Sequence, residues 1–154
     1  MKHVTWTAGI IFLLDRVSKY AAQNLPAGKV FSFAPDIDFG YFPNPALFFF
    51  PAWRWIPWVA LTVLVALFGF LIWNLIGNWE LGIGNFLRHP LFPILLGGAS
   101  NVFDRFAYGG VIDIIHIGGL ATINLADILI GLGIVLFLIR HFEERSDEKS
   151  HTLP

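Results

Sequence analysis

Two aspartates stand in the apolar segment V-I-D-I-I-H-I-G-G-L-A-T-I-N-L-A-D, which covers residues 111–127. They are Asp113 and Asp127, and the segment contains no Lys or Arg that could neutralise them. Two carboxylates that share a dry site cannot both ionise cheaply, so such a pair is expected to hold one proton. The charged member can activate a water molecule while the neutral member protonates a leaving group. Such a pair can therefore carry out acid–base hydrolysis without a metal or a covalent intermediate.

Further polar residues stand near these acids at helical spacings. Asn124 lies three residues before Asp127. Asn101 lies three residues before Asp104, and Arg105 follows directly. Residues three apart share one face of a helix, so each pair can present an amide and a carboxylate together. Structural roles are also open, because Asp104 and Arg105 could pair at a helix end and the asparagines could hydrogen-bond between helices.

The residue inventory gives little support to other kinds of catalysis. There is no Cys, and the five His residues show no ligand spacing, so we expect neither thiolate chemistry nor a metal site. A nucleophile pair of Ser100 and His116 is conceivable, but no G-x-S-x-G elbow surrounds Ser100. No phosphate-binding loop appears, and the net charge of −1 does not suggest a nucleic-acid partner. We therefore expect no cofactor and no nucleic acid.

The composition indicates that a lipid bilayer surrounds these residues. Of 154 residues, 56% are hydrophobic and 14% charged, whereas soluble domains carry about 25% charged residues. The mean hydropathy is +0.66. Four stretches approach the roughly 20 apolar residues of a spanning helix, at about 4–22, 55–76, 90–106 and 122–139. The sequence predicts an all-α polytopic membrane protein, with residues 1–154 in a single domain.

The segments between and after the spans predict a small β element and a polar tail. Pro and Gly interrupt residues 25–53 too often for a span, and V-F-S-F at 30–33 and I-D-F-G-Y-F at 37–42 could be strands. Residues 110–117 are rich in β-branched side chains and also indicate an extended segment. The polar tail at about 141–154 is expected to fray into water.

The order of the spans places the ionisable residues at one depth. The first span carries Asp15 and Lys19 in its second half, four apart, in the order that favours an ion pair. The third span ends at 101–105, and the fourth starts on the same side with Asp127 in its opening turns. Asp113 lies in the loop between them. Because a charge at a helix centre costs roughly 2.5–3.5 kcal/mol, acids gathered at one depth indicate a shared polar pocket.

Lysine and arginine near the span ends favour cytoplasmic termini. With both termini inside, five such residues fall inside: Lys2, Arg88, Arg140, Arg145 and Lys149. Three fall outside: Lys29, Arg54 and Arg105. The polar pocket then faces the outer leaflet.

Five sequence boxes together resemble the signal peptidase II family, the lipoprotein signal peptidases that act as membrane aspartic proteases. In chain order they are D-R-V-S-K at 15–19, N-P-A-L-F at 44–48, G-G-A-S-N-V-F-D-R at 97–105, G-V-I-D at 110–113 and I-N-L-A-D at 123–127. The order is that of the family, and the boxes cover nearly the whole chain. The chain departs from the family pattern at Ala46, where glycine is usual, and at His116, where many relatives carry a second acid.

The resemblance implies a function and roles for particular residues. Asp113 and Asp127 fall where the family places its catalytic aspartates. The family positions that shape the site or bind substrate are occupied here by Asp15, Asn44, Asn101, Arg105 and Asn124. The family positions with a supporting role are occupied by Lys19 and Asp104. The family cuts prolipoproteins before a cysteine that already carries diacylglycerol. The implied protein is a multi-pass monomer of the bacterial inner membrane, in contact with lipid and inhibited by globomycin-type cyclic peptides.

Two other functions remain open at this point. The same acids could relay protons or cations, although the inner halves of the spans hold no ionisable residue. The polar cluster could instead only lock the helices together. In that case Asp127 is an early-turn acid favoured by the helix dipole and Asp113 is an ordinary loop acid.

Overall fold

The computed structural model describes residues 2–45, 55–77 and 89–152. The helices in these residues are α1 (Lys2–Gln23), α2 (Ile56–Gly77), α3 (Leu91–Tyr108) and α4 (Leu125–Thr152). The strands are β1 (Phe31–Ala34), β2 (Ile37–Asn44), β3 (Val111–Ile117) and β4 (Ala121–Ile123). A mostly helical chain with a small antiparallel sheet is thus confirmed. Ala46, Arg54 and Arg88, which entered the sequence predictions, lie outside the described residues.

Within the described residues, two helices are long and apolar enough to cross a membrane, through the windows Ile56–Trp73 and Leu125–Phe142. Only 11% and 17% of these windows are buried inside the protein. Their apolar side chains therefore point outward, which is the arrangement that a lipid solvent favours and water does not.

Helix α3 packs against the other three helices and forms the centre of the bundle. Its contact with α4 is close because both helices carry glycine at the contact. A side chain at Gly97 would meet the Ala126 carbonyl oxygen, and one at Gly133 would lie 3.0 Å from the Pro90 carbonyl oxygen. Small residues let membrane helices approach in this way. The glycines thus bring the start of α4 against the middle of α3.

The four strands form one antiparallel sheet in the order β1-β2-β3-β4. Chain reversal after α3 occurs at Gly109, whose φ of 78° is left-handed and whose N–H donates to the Arg105 carbonyl. Strand β3 therefore starts directly at the end of α3. Its residue Asp113 pairs with Phe42 of β2, and His116 pairs with Thr122 of β4. The extended segments predicted from the sequence are confirmed.

The predicted start of the fourth span is wrong, and the polar tail predicted after it is helical. Thr122 begins no helix, because it belongs to β4, and the helix starts at Leu125. The tail expected to fray from residue 141 instead continues α4 to Thr152. Its Glu, Arg and Lys residues are good helix formers, and no Gly or Pro interrupts them before Pro154. The polar composition of the tail predicts that it lies in water, but it does not prevent the tail from being helical.

Candidate active site

Asp113 is buried in β3, with 1% of its surface exposed, and three neutral donors hold its carboxylate. The Asn44 amide donates to Oδ2 at 2.9 Å, and the Thr122 hydroxyl donates to the same oxygen at 2.6 Å. The Asn124 amide donates to Oδ1 at 2.8 Å. These donors come from β2, from β4 and from the residue before α4. The sheet and the helix start together fix the direction of this carboxylate.

Asp127 is half-buried in the first turn of α4 and forms a reciprocal cap with Asn124. The Asn124 N–H donates to Asp127 Oδ2 at 3.0 Å, and the Asp127 N–H donates to Asn124 Oδ1 at 3.1 Å. This is a capping box, with Asn at the cap and the acid three residues later. The sequence expectation that both residues share a helical face is therefore corrected, because Asn124 precedes the helix. The Asn101 amide of α3 donates to Asp127 Oδ1 at 2.9 Å.

Asn124 brings the two acids together. It is fully buried, its side-chain amide bonds to Asp113, and its backbone N–H bonds to Asp127. The two carboxylates are close enough for their charges to interact, and the charge of Arg105 acts on both. Among the described residues neither carboxylate makes a direct ion pair. In this part of the chain, the pair is thus oriented by hydrogen bonds and has no cation in direct contact.

A second group of charges lies beside this pair, between α1 and α3. Asp15, Lys19 and Asp104 are fully buried. The Lys19 ammonium lies 3.0 Å from Asp15 Oδ2 and 2.8 Å from Asp104 Oδ2, and the Arg16 guanidinium lies 2.6 Å from Asp104 Oδ1. We call these four residues the charge cluster. Its two acids and two cations balance, as buried charges require.

The charge cluster confirms one sequence prediction and corrects another. Asp15 and Lys19 form the expected ion pair across one turn of α1. Asp104 was expected to pair with Arg105, but its direct ion pairs are with Lys19 and Arg16 of α1. Neighbouring residues on a helix point about 100° apart, so Asp104 faces α1. The Arg105 guanidinium instead donates to the Asn101 carbonyl of its own helix at 3.2 Å.

Asp15 also fixes the start of α4. Its Oδ1 accepts the Ala126 N–H at 2.9 Å, and its Oδ2 accepts the Ser100 hydroxyl at 2.5 Å. The first N–H groups of a helix have no partner within the helix, so a carboxylate from a neighbouring element stabilises them. One side chain of α1 therefore connects α3 to the turn that carries Asp127.

Two residues of this region, Arg16 and Thr122, were not among the predicted site residues, and Ser100 was considered only as a nucleophile. Arg16 pairs with Asp104, Thr122 holds Asp113, and Ser100 accepts a bond from Arg16 at 3.0 Å. An arginine inside an apolar span requires a partner, so Arg16 carried a signal that could have been used. Thr122 carried none, since hydroxyl residues are common in such segments.

The arrangement argues against a serine nucleophile. Ser100 bonds within the charge cluster, whereas the His116 ring lies against Phe42, with ring centroids 5.4 Å apart. The described part of the chain also contains no group of three or more His, Cys, Asp or Glu residues that could hold a metal ion. What remains is a pair of carboxylates held by amides and a hydroxyl, which can exchange protons with a water molecule.

The fold is shared with bacterial membrane enzymes. One such enzyme, solved by the in meso method at 2.3 Å, superposes with a TM-score of 0.76 at 18% identity, covering 100% of this chain and 96% of its own. A second, solved by the same method at 1.9 Å, gives a TM-score of 0.57 at 19% identity, covering 91% and 92%. These likenesses define the class of fold.

Sequence comparison identifies one family within this class of bacterial membrane enzymes. The family model for signal peptidase II matches residues 7–143. The lipoprotein signal peptidase of Trichormus variabilis is 31% identical over 153 residues, covering 92% of this chain and 91% of its own. That of Hydrogenovibrio crunogenus is 34% identical over 164 residues, covering 96% and 91%. The chain belongs to the signal peptidase II family, as its sequence boxes predicted.

Proposed function

We propose that the chain removes the signal peptide from diacylglyceryl-modified prolipoproteins by cutting before the lipid-bearing cysteine. Asp113 and Asp127 are the catalytic acids and act on one water molecule. The observation that carries the proposal is their environment. Both carboxylates are linked through Asn124 and bound by neutral donors, and no direct ion pair fixes either one in its charged form among the described residues.

The chemistry needs one proton on the pair. One carboxylate takes a proton from water as the water oxygen attacks the scissile carbonyl carbon. Its partner gives a proton to the leaving nitrogen as the C–N bond breaks. The products are a signal peptide with a new carboxylate and a lipoprotein with a free amine on its modified cysteine. The amide donors occupy some oxygen lone pairs of the carboxylates and leave others for water and substrate.

The supporting residues orient the two carboxylates, join the helices and supply nearby positive charge. Asn44, Asn101 and Asn124 hold the carboxylates in place. Asp15, Lys19 and Asp104 join the helices that carry them, and Arg105 supplies positive charge near the pair. No metal or other cofactor takes part in this scheme.

We further propose that residues 1–154 form one domain of four transmembrane helices in the bacterial inner membrane, with both termini cytoplasmic. Support comes from the positions of the polar groups, which gather where α1 and α3 end and α4 begins. This end then faces the outer leaflet, where a diacylglyceryl chain would lie. The enzyme acts as a monomer that contacts lipid, and globomycin-type cyclic peptides inhibit it. Because the chain has no Cys, single introduced cysteines labelled from either side would report the topology directly.

The proposal is tested by a gel-shift cleavage assay on a diacylglyceryl-modified prolipoprotein with purified protein in detergent. Asp113→Asn and Asp127→Asn should each lower the rate about 10²- to 10⁴-fold or more, because each removes one proton-transfer group. Asp38→Asn is the matched control: Asp38 lies on the same sheet and bonds to the Ser32 hydroxyl at 2.6 Å, outside the site.

Two results would contradict the proposal. Normal cleavage by either asparagine variant would remove that acid from the mechanism. Loss of thermal stability in both variants, with the remaining folded protein as active as wild type, would favour the role of a helix-locking cluster. Proton flux in liposomes that disappears with Asp127→Asn would favour a relay.

A further inference from the structure

We propose that Lys19 is a positioning residue that acts on Asp127 through the side-chain amide of Asn101. This inference rests on the proposed function, because it assigns a task to a residue that contacts a hydrogen-bond partner of a catalytic acid. Lys19 itself is fully buried in α1, and among the described residues it makes no hydrogen bond or ion pair with Asp113 or Asp127. Its charge also acts on Asp127 through space, and its hydrogen-bonded route to that acid passes through Asn101.

The three donors of the Lys19 ammonium have three close partners. Two are the carboxylates of Asp15 and Asp104, at 3.0 and 2.8 Å. The third is Asn101 Oδ1, at 3.0 Å. The Ser100 hydroxyl is more distant, at 3.4 Å. Since an ammonium has exactly three N–H groups, charge neutralisation uses two of them and the third is directed at the Asn101 amide.

This third bond decides which way the amide faces. An ammonium can only donate, so the oxygen of Asn101 must point toward Lys19. The NH₂ group on the other side then points toward Asp127 and donates to Oδ1 at 2.9 Å. Without the cation, the amide could rotate and present its oxygen to a carboxylate, which has no donor when it is ionised. Lys19 therefore keeps a donor directed at Asp127.

Arg16 makes this use of Lys19 possible. Asp104 has a second cation in Arg16, which lies 2.6 Å from its other oxygen. Because two cations balance the two acids of the charge cluster, Lys19 can direct one N–H to a neutral group without leaving a buried charge uncompensated. The charge cluster thus supports the site as well as the helix packing.

The test compares Lys19→Met with wild type in the cleavage assay, after wild type has been shown to cut and Asp127→Asn to fail. Once wild type is known to cut and Asp127→Asn to fail, a wrong result for Lys19→Met contradicts this inference and not the proposed function. We expect kcat to fall about 10- to 100-fold with KM within about twofold, because a bond supporting a charged group is lost while substrate contacts remain. Lys29→Met, which changes an exposed loop lysine, is the matched control. Lys19→Arg should recover part of the loss.

A double-mutant cycle distinguishes positioning from a structural role. If Lys19 acts through Asn101, then Lys19→Met should cause little further loss of kcat in an Asn101→Ala background. Losses that multiply would overturn the inference.

A second variant tests whether a loss of activity in Lys19→Met results from misfolding. Lys19→Met leaves the charge cluster with an excess acid, whereas Lys19→Met with Asp104→Asn is neutral. We expect the neutral variant to keep its thermal unfolding midpoint close to that of wild type and still show the lower kcat. Recovery of wild-type kcat in the neutral variant would mean that Lys19 only balances charge. Loss of the fold in both variants would make its role structural, and either result would overturn the inference.

Discussion

Replacing Asn124 by serine separates two tasks that one side chain performs. The Asn124 side chain caps α4 by accepting the Asp127 N–H, and it donates to Asp113 at 2.8 Å. Serine is also a good helix cap but is too short to keep the second bond. A hydrogen bond to a charged group contributes about 1.5–3 kcal/mol. If this contribution is needed in the transition state, kcat should fall about 10- to 150-fold.

Alanine at the same position should behave differently. Asn124→Ala loses the cap as well, so its free energy of unfolding should fall by about 1 kcal/mol more than that of the serine variant. Both quantities can be measured on purified protein, kcat by cleavage of a diacylglyceryl-modified prolipoprotein and stability by thermal unfolding in detergent. Asn24→Ser is the matched control, since Asn24 is exposed and its side-chain amide donates to the Tyr20 carbonyl at 2.7 Å, outside the site.

Either of two results would contradict these roles of Asn124. If Asn124→Ser cleaves with the kcat of wild type, the amide bond to Asp113 is not needed for the reaction. If the alanine and serine variants are equally stable, the capping box does not stabilise the start of α4.

Two further predictions concern the packing and the hydroxyl donor. Gly97→Ala should lower the unfolding midpoint, because the added methyl meets the Ala126 carbonyl oxygen and overpacking costs about 1–3 kcal/mol. Gly131→Ala is the control and should leave the midpoint unchanged, because its methyl meets nothing within 4 Å. An equal loss of stability in both variants would refute the close contact of α3 with α4 at Gly97. Thr122→Val should lower kcat about tenfold by removing the 2.6 Å bond to Asp113, and Thr122→Ser should restore most of it. A valine variant with wild-type kcat would show that this hydroxyl is dispensable.

The sequence predicted those features that follow from local pattern. Residues 110–117 were recognised as extended because β-branched residues and flanking glycines are local signals, and they form β3. The Asp15–Lys19 pair followed from its four-residue spacing within one helix. The gathering of polar residues at one end of the bundle followed from the order of the spans, since alternate helices reverse direction.

Predictions failed where a contact depends on how elements pack. The pairing of Asp104 with α1 depends on which side of α3 faces α1, and periodicity does not specify the neighbour. The relation of Asn124 to Asp127 was misassigned because spacing rules for a helical face apply only when both residues are inside the helix. Thr122 and Arg16 were missed for a related reason, since their partners are distant in sequence or on another element.

The two groups of acids explain why so apolar a chain retains them. Asp15 and Asp104 are bound directly by cations, which makes them suited to joining helices. Asp113 and Asp127 are bound by amides, a hydroxyl and a backbone N–H, which orient a carboxylate without cancelling its charge. A carboxylate fixed by a contacting ammonium would resist the protonation that acid–base chemistry requires. In the proposed reaction, the lack of a contacting cation among the described residues leaves the pair able to exchange a proton with water.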